Sequence, residues 1–304
     1  MTSDQAAKDA RDGVIAGLVC YLLWGVLPVY FKLVQEVAPA EVLLHRIIWA
    51  VPFGALIIHV RKQWPEVRRA LSHRSMLLWL ATAALFIAIN WYVYIAAVQS
   101  DKIFQASLGY YINPLIFMLV GVAFLGEKLR GLQMGAVILA AIGVLVLTFS
   151  GGEFPAISLA LGVSFTVYGV IRKQIPIGAM PGLFVETLIL FPIAITWFLW
   201  MALAGQASFG YGEASISGLL VLGGPVTVIP LLFFAIAARR LTLTAIGFMQ
   251  FLAPTLQFCM GLYYGEVLTT PRLICFGCIW TAVVLFSTDA VRNSRRQNVA
   301  PTAV

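Results

Sequence analysis

The sequence predicts an all-α integral membrane fold, with ten transmembrane helices arranged as two inverted five-helix repeats. Three observations predict it. Hydrophobic residues make up 61% of the 304 residues and charged residues only 11%, against roughly 45–50% and roughly 25% in soluble domains. A soluble core cannot hide that much apolar surface from water, and the mean hydropathy of +0.93 agrees. The apolar residues fall into ten runs, each long enough for a bilayer core of roughly 30 Å. Finally, the two halves of the chain match at a nearly fixed offset. Soluble enzymes, disordered chains and fibrous proteins are excluded.

The ten spans follow in order, and the basic residues between them alternate as a cytoplasmic bias requires. Span 13–33 comes after twelve polar residues that include Lys8 and Arg11. It is too long for a signal-peptide core and reads as an uncleaved anchor. Lys32 marks its outer end. Span 41–60 returns inward to Arg61, Lys62, Arg68, Arg69 and Arg74. Span 76–98 leads out to Lys102, and 103–125 leads back to Lys128 and Arg130. Span 131–149 ends in the linker Ser150-Gly151-Gly152-Glu153. In the second half, 155–171 ends at Arg172 and Lys173 inside, and 180–203 leads outward. Span 215–238 returns to Arg239 and Arg240, 244–264 leads out towards Arg272, and 271–290 ends at Arg292, Arg295 and Arg296. Sixteen of the 20 basic residues thus lie inside with both termini, three lie outside, and Arg46 lies within a span. The net charge of +7 is therefore an orientation code, and nucleic acid is not an expected partner. Cys20, Cys259, Cys275 and Cys278 sit in apolar runs. The pair Cys275 and Cys278 has no second ligand pair nearby, so all four read as inert thiols.

At an offset of 140, Pro52 meets Pro192, Ala97 meets Ala237 and Pro114 meets Pro254. Trp24-Gly25 matches Tyr168-Gly169, and Gly126-Glu127 matches Gly265-Glu266, at offsets of 144 and 139. The repeats are therefore 1–150 and 151–304. Five spans is an odd number, so the second copy enters the membrane from the opposite side, the plan of many secondary transporters.

Ionisable residues inside a span are costly and are functional candidates by default. Arg46 and Glu186 are two such residues, at equivalent positions since 186 lies 140 beyond 46. Each sits about six residues into its helix, or roughly 9 Å, from opposite faces, so a direct ion pair is not assured. Arg46 is placed to receive a carboxylate, phosphate or other anionic group, or else to snorkel to outer headgroups. His45 points about 100° away and reads as packing or interfacial. Glu186 is the candidate proton carrier; the alternative is a structural carboxylate bonded to hydroxyls or close to the interface. Pro114, after Asn113, and Pro254 interrupt matching spans, and paired interruptions point to a transporter's binding site. Tyr110 shares a face with Asn113, and Gln250 lies four residues before Pro254. Asn90 with Tyr94, the stripe Tyr21–Trp24–Pro28, and Tyr168 would form an aromatic wall with a few amides, suited to an amphipathic organic molecule; the plainer alternative is packing. Glu127 and Glu266 close their spans and are expected to cap the next helix. Gly131 and Gly135 form a GxxxG, a candidate helix contact or homodimer face.

The runs YLLWGVLPVYFK (21–32), HRIIWAVPF (45–53), NWYVYIAAV (90–98), SLGYYINPL (107–115), FLGEKL (124–129), VYGVIRK (167–173) and GFMQFLAPT (247–255) resemble the RarD family of EamA-domain proteins. That family belongs to the drug/metabolite transporter superfamily, and the resemblance covers nearly the whole chain. It implies a ten-helix bacterial inner-membrane transporter with a central cavity, often labelled as related to chloramphenicol sensitivity. It implies no firm substrate. The expected function is secondary transport, by export, of a small organic metabolite or drug, driven by a proton gradient or by exchange and needing no cofactor. An integral-membrane enzyme acting on a lipid would need a catalytic cluster, but no HExxH, GxSxG or dense carboxylate cluster occurs. A passive channel would call for pore-lining charge rings.

Overall fold

The computed structural model describes residues 3–125, 130–211, 213–241 and 243–299. In chain order the helices are α1 (Ser3–Gly25), α2 (Leu27–Leu33), α3 (Pro39–Val60), α4 (Trp64–Ser72), α5 (Arg74–Gln99), α6 (Ile103–Leu125) and α7 (Gly131–Gly151). They continue with α8 (Ala156–Gln174), α9 (Ala179–Leu203), α10 (Ala214–Ala238), α11 (Leu243–Met249), α12 (Leu252–Tyr263) and α13 (Thr270–Val299). No strand occurs among the described residues. Ten segments of these residues are long and apolar enough to cross a membrane, and the chain is an all-α multi-pass membrane protein. Glu127, one of the expected capping residues, lies outside the described residues.

Two spans are broken. The first is split between α1 and α2 at Val26, just before Pro28 at the start of α2. Proline lacks the N–H that would bond the carbonyl four residues back, here that of Trp24. Gln257 on α12 donates Nε2–H to that carbonyl at 3.1 Å, so the bonding lost at the break is made up from another helix, as a bilayer requires. The ninth span breaks at Gln250 and Phe251, ahead of Pro254 in the first turn of α12. The expected matching interruption at Pro114 does not appear, because α6 runs through it unbroken. The two proline-bearing spans also differ in packing, α6 being more deeply buried within the protein than the ninth span.

The helix α4 was not expected. At nine residues it is too short to stand out in the hydropathy pattern. Val67 and Ala70 are buried while Arg68 and Arg69 face outward. Its Glu66 accepts a hydrogen bond from the Gly178 N–H (3.2 Å) at the N-cap of α9.

The main packed pairs are α3 with α9 and α10, α5 with α8 and α9, α6 with α8 and α12, α1 with α10 and α12, and α7 with α13. The last pair is tightest at Gly143, where an added Cβ would lie 2.9 Å from the Cys278 Cβ and 3.1 Å from the Cys275 carbonyl oxygen. The GxxxG at Gly131 and Gly135 makes no such contact: nothing lies within 4 Å of the first position, and only Leu285, at 3.9 Å, near the second.

Candidate functional site

Arg46 lies in the second turn of α3, where α10 approaches closely because it carries Gly223 and Gly224. A Cβ on Gly224 would sit 2.5 Å from the Trp49 carbonyl oxygen, and one on Gly223 would sit 3.4 Å from the Arg46 Cα. One turn further along α10, Thr227 Oγ1 accepts from Arg46 Nε at 2.7 Å and donates to the Gly223 carbonyl at 2.8 Å. The guanidinium carbon lies 4.3 Å from the Trp91 ring centre and 5.7 Å from that of Phe31. The phenols of Tyr110, Tyr30 and Tyr94 lie within electrostatic range.

Arg46 is only 5% exposed, yet among the described residues no carboxylate forms an ion pair with it. Stripping a guanidinium of water costs several kcal/mol. A hydroxyl and cation–π contacts of about 0.5–2 kcal/mol offset part of that. The arrangement leaves a buried positive charge without a carboxylate partner among the described residues.

Asn90 joins three helices. Its Nδ2 donates to the Leu161 carbonyl and to Ser164 Oγ, both at 3.0 Å, and its Oδ1 accepts from the Tyr110 hydroxyl at 3.2 Å. One turn on, the Tyr94 hydroxyl is buried with no hydrogen-bond partner. Its ring centre lies 5.6 Å from that of Tyr110 and 5.8 Å from that of Phe31.

Glu186 is fully buried. Its Oε1 lies 3.3 Å from Arg172 Nε, and its Oε2 accepts from the Tyr168 hydroxyl at 3.2 Å. Gly182 makes room for the arginine, since a Cβ there would collide with the guanidinium. Arg46 and Glu186 therefore do not pair. A column of rings links them instead: Tyr110 to Phe165 at 6.1 Å, then Phe165 to Tyr168 at 6.0 Å.

The other expected residues lie apart from this column. Trp24 packs against Tyr21 (5.6 Å) and Phe234 (6.0 Å), in a separate cluster with Met249 and Leu252. Gln250 sits in the break between α11 and α12. Asn113 is buried beside Gly162 of α8, its Oδ1 without a partner. His45 packs as expected, stacked on Phe209 at 4.6 Å. Glu266 does cap a helix, but not the following one: its two carboxylate oxygens accept from the backbone N–H groups of Ile103 and Phe104, at the start of α6. Burial holds that carboxyl above the usual carboxylate range. The helix it was expected to cap begins only at Thr270, beyond a loop, whereas α6 starts against it.

Sequence reasoning missed Thr227, Trp91, Phe165, Arg172 and Glu41. Thr227 was signalled by the run Gly223-Gly224-Pro225-Val226-Thr227, in which paired glycines invite a close helix. Arg172 was counted as a loop residue, although it lies four after Tyr168 on one helix face. Glu41, four before His45, accepts from the backbone N–H groups of Ser208 (2.7 Å) and Phe209 (3.0 Å) and fastens the α9–α10 loop onto α3. No cluster of three or more His, Cys, Asp or Glu side chains suited to a metal occurs among the described residues.

Residues 11–149 match the model of the EamA-like transporter family. The protein RarD of Salmonella typhi is 41% identical over 292 residues, which cover 96% of this chain and 99% of that one. The protein RarD of Escherichia coli strain K12 is 39% identical over 291 residues, 95% of this chain and 98% of that one. One solved crystal structure shares the fold, with a TM-score of 0.56 at 18% identity over 90% of this chain and 96% of that chain.

Proposed function

Since the chain belongs to the RarD family of EamA-domain proteins in the drug/metabolite transporter superfamily, and so is a multi-pass inner-membrane protein of a transporter family, we propose that it is a secondary transporter exporting a small organic metabolite or drug. The observation that carries the proposal is the buried, unneutralised Arg46 among aromatic rings. In lipid such a charge is costly and is retained where it does work. Arg46, Tyr110 and Asn90 are the proposed contacts, with Tyr168 at the far end of the ring column.

Glu186 is the proposed proton carrier. Arg172 and Tyr168 stabilise its charged form, and taking up a proton releases Arg172, an exchange that can be tied to a change of access. The packing pattern supports two repeats, 1–150 and 151–304. Exchanging each span for the one five places along turns the contact of α5 with α8 into that of α10 with α1. It likewise turns α6 with α8 into α12 with α1, and α3 with α10 into α9 with α5. A transporter built of inverted repeats binds its substrate at the repeat interface, and α3 meets α9 there.

The test is counterflow in proteoliposomes, using compounds selected by thermal shift from metabolites and antibiotics. Saturable counterflow is expected in the wild type. In Glu186→Gln, stimulation by a pH gradient should vanish while the protein still inserts. Non-saturating flux, or unchanged pH-driven transport in the mutant, overturns the respective part.

A further inference from the structure

Resting on the binding role of Arg46 just proposed, we infer that the transported molecule is an organic monoanion with an apolar body. Nε of Arg46 is taken by Thr227. The two Nη groups have no hydrogen-bond partner among the described residues, and they form the paired edge that meets two oxygens of a carboxylate or sulfonate side by side. A second donor stands ready. The Tyr94 hydroxyl belongs to a residue only 2% exposed, is unpartnered, and lies within electrostatic reach of the guanidinium.

Charge count then sets the valence. Around the guanidinium stand Trp91, Phe31, Tyr30, Tyr94, Tyr110 and Thr227, and Arg46 is the one full charge in that set. A single anionic group neutralises it. A second would sit uncompensated among rings, where a lone charge is heavily penalised.

A cationic group is refused for the converse reason. Glu186 is already held by Arg172 and Tyr168. Glu41 faces the backbone of Ser208 and Phe209, with His45 at 3.9 Å. Neither carboxylate is free to take an ammonium, so amines and zwitterions find no partner. The column from Tyr94 through Tyr110 and Phe165 to Tyr168, with successive ring centres 5.6, 6.1 and 6.0 Å apart and ring planes turned by 51°, 88° and 46°, gives the anion's body apolar surroundings.

Four probes on one skeleton test this by thermal shift of the purified protein: 2-naphthoate, 2-naphthamide, 2-naphthylmethylamine and 2,6-naphthalenedicarboxylate. Saturable stabilisation by naphthoate alone is expected. Half-saturation should weaken on the order of a hundredfold in Arg46→Gln, as for other buried charge pairs that lose a partner, and less in Arg46→Lys. Stabilisation by the amide, the amine or the dianion equal to that by naphthoate overturns the inference. So does no response to any probe, or a naphthoate response unchanged in Arg46→Gln. Should that variant not fold, the ranking of the four probes on the wild type decides. Failure of the transport proposal looks different: naphthoate stabilises the protein but gives no saturable counterflow.

Discussion

All three hydrogen bonds of Asn90 run to other helices, two to α8 and one to Tyr110 on α6, so a single amide fixes the spacing of three spans beside the Arg46 site. Removing the Tyr110 hydroxyl leaves Oδ1 buried and unpaired, which costs about 1–3 kcal/mol. Tyr110→Phe should therefore lower the thermal unfolding midpoint in detergent and weaken substrate affinity, measured by thermal shift and counterflow. At this scale the sequence was partly legible. Arg46 and Glu186 stood out as charges within apolar runs, at matching positions. Their partners did not, because Thr227 lies 181 residues from Arg46, and Trp91 and Phe165 look like any packing aromatic until their neighbours are known. Glu266 shows the same limit. Its chemistry was legible, but the helix it caps lies over 160 residues away.

At the scale of elements, the helices were legible wherever hydropathy alone decides them, and their breaks were not. Pro28, Pro114 and Pro254 carry the same local signal. That signal does not separate the split first and ninth spans from the unbroken α6. Helix proximity is likewise a matter of missing atoms. The contact of α3 with α10 depends on Gly224, whose added Cβ would press on the rigid Trp49 backbone rather than on a side chain able to move aside. Small residues are what let helices meet closely in lipid. Gly224→Ala should destabilise the fold by about 1–3 kcal/mol and pull Thr227 away from Arg46. Thermal unfolding together with loss of ligand stabilisation would register both effects, whereas a neutral outcome would mean that the helices part without penalty.

Across the whole molecule, the basic residues carry a prediction about orientation: both termini and the α4 segment face the cytoplasm, and the α9–α10 loop faces outward. Cysteines introduced one at a time at Ser72 and at Ser208, labelled in intact cells with a membrane-impermeant maleimide, should react only at the second position; the reverse pattern would invert the topology. The lone charge of Arg46 has one more consequence, in the electrical behaviour of the whole carrier. With a monoanion bound, the site is neutral, and reorienting the loaded protein moves no net charge through the field at that point. Without it, the site carries a full positive charge. The membrane potential, worth about 2.3 kcal/mol per charge per 100 mV, then acts on the return of the empty carrier rather than on the delivery of its cargo. A cell's voltage would in this way set the pace of turnover without altering which molecules are accepted.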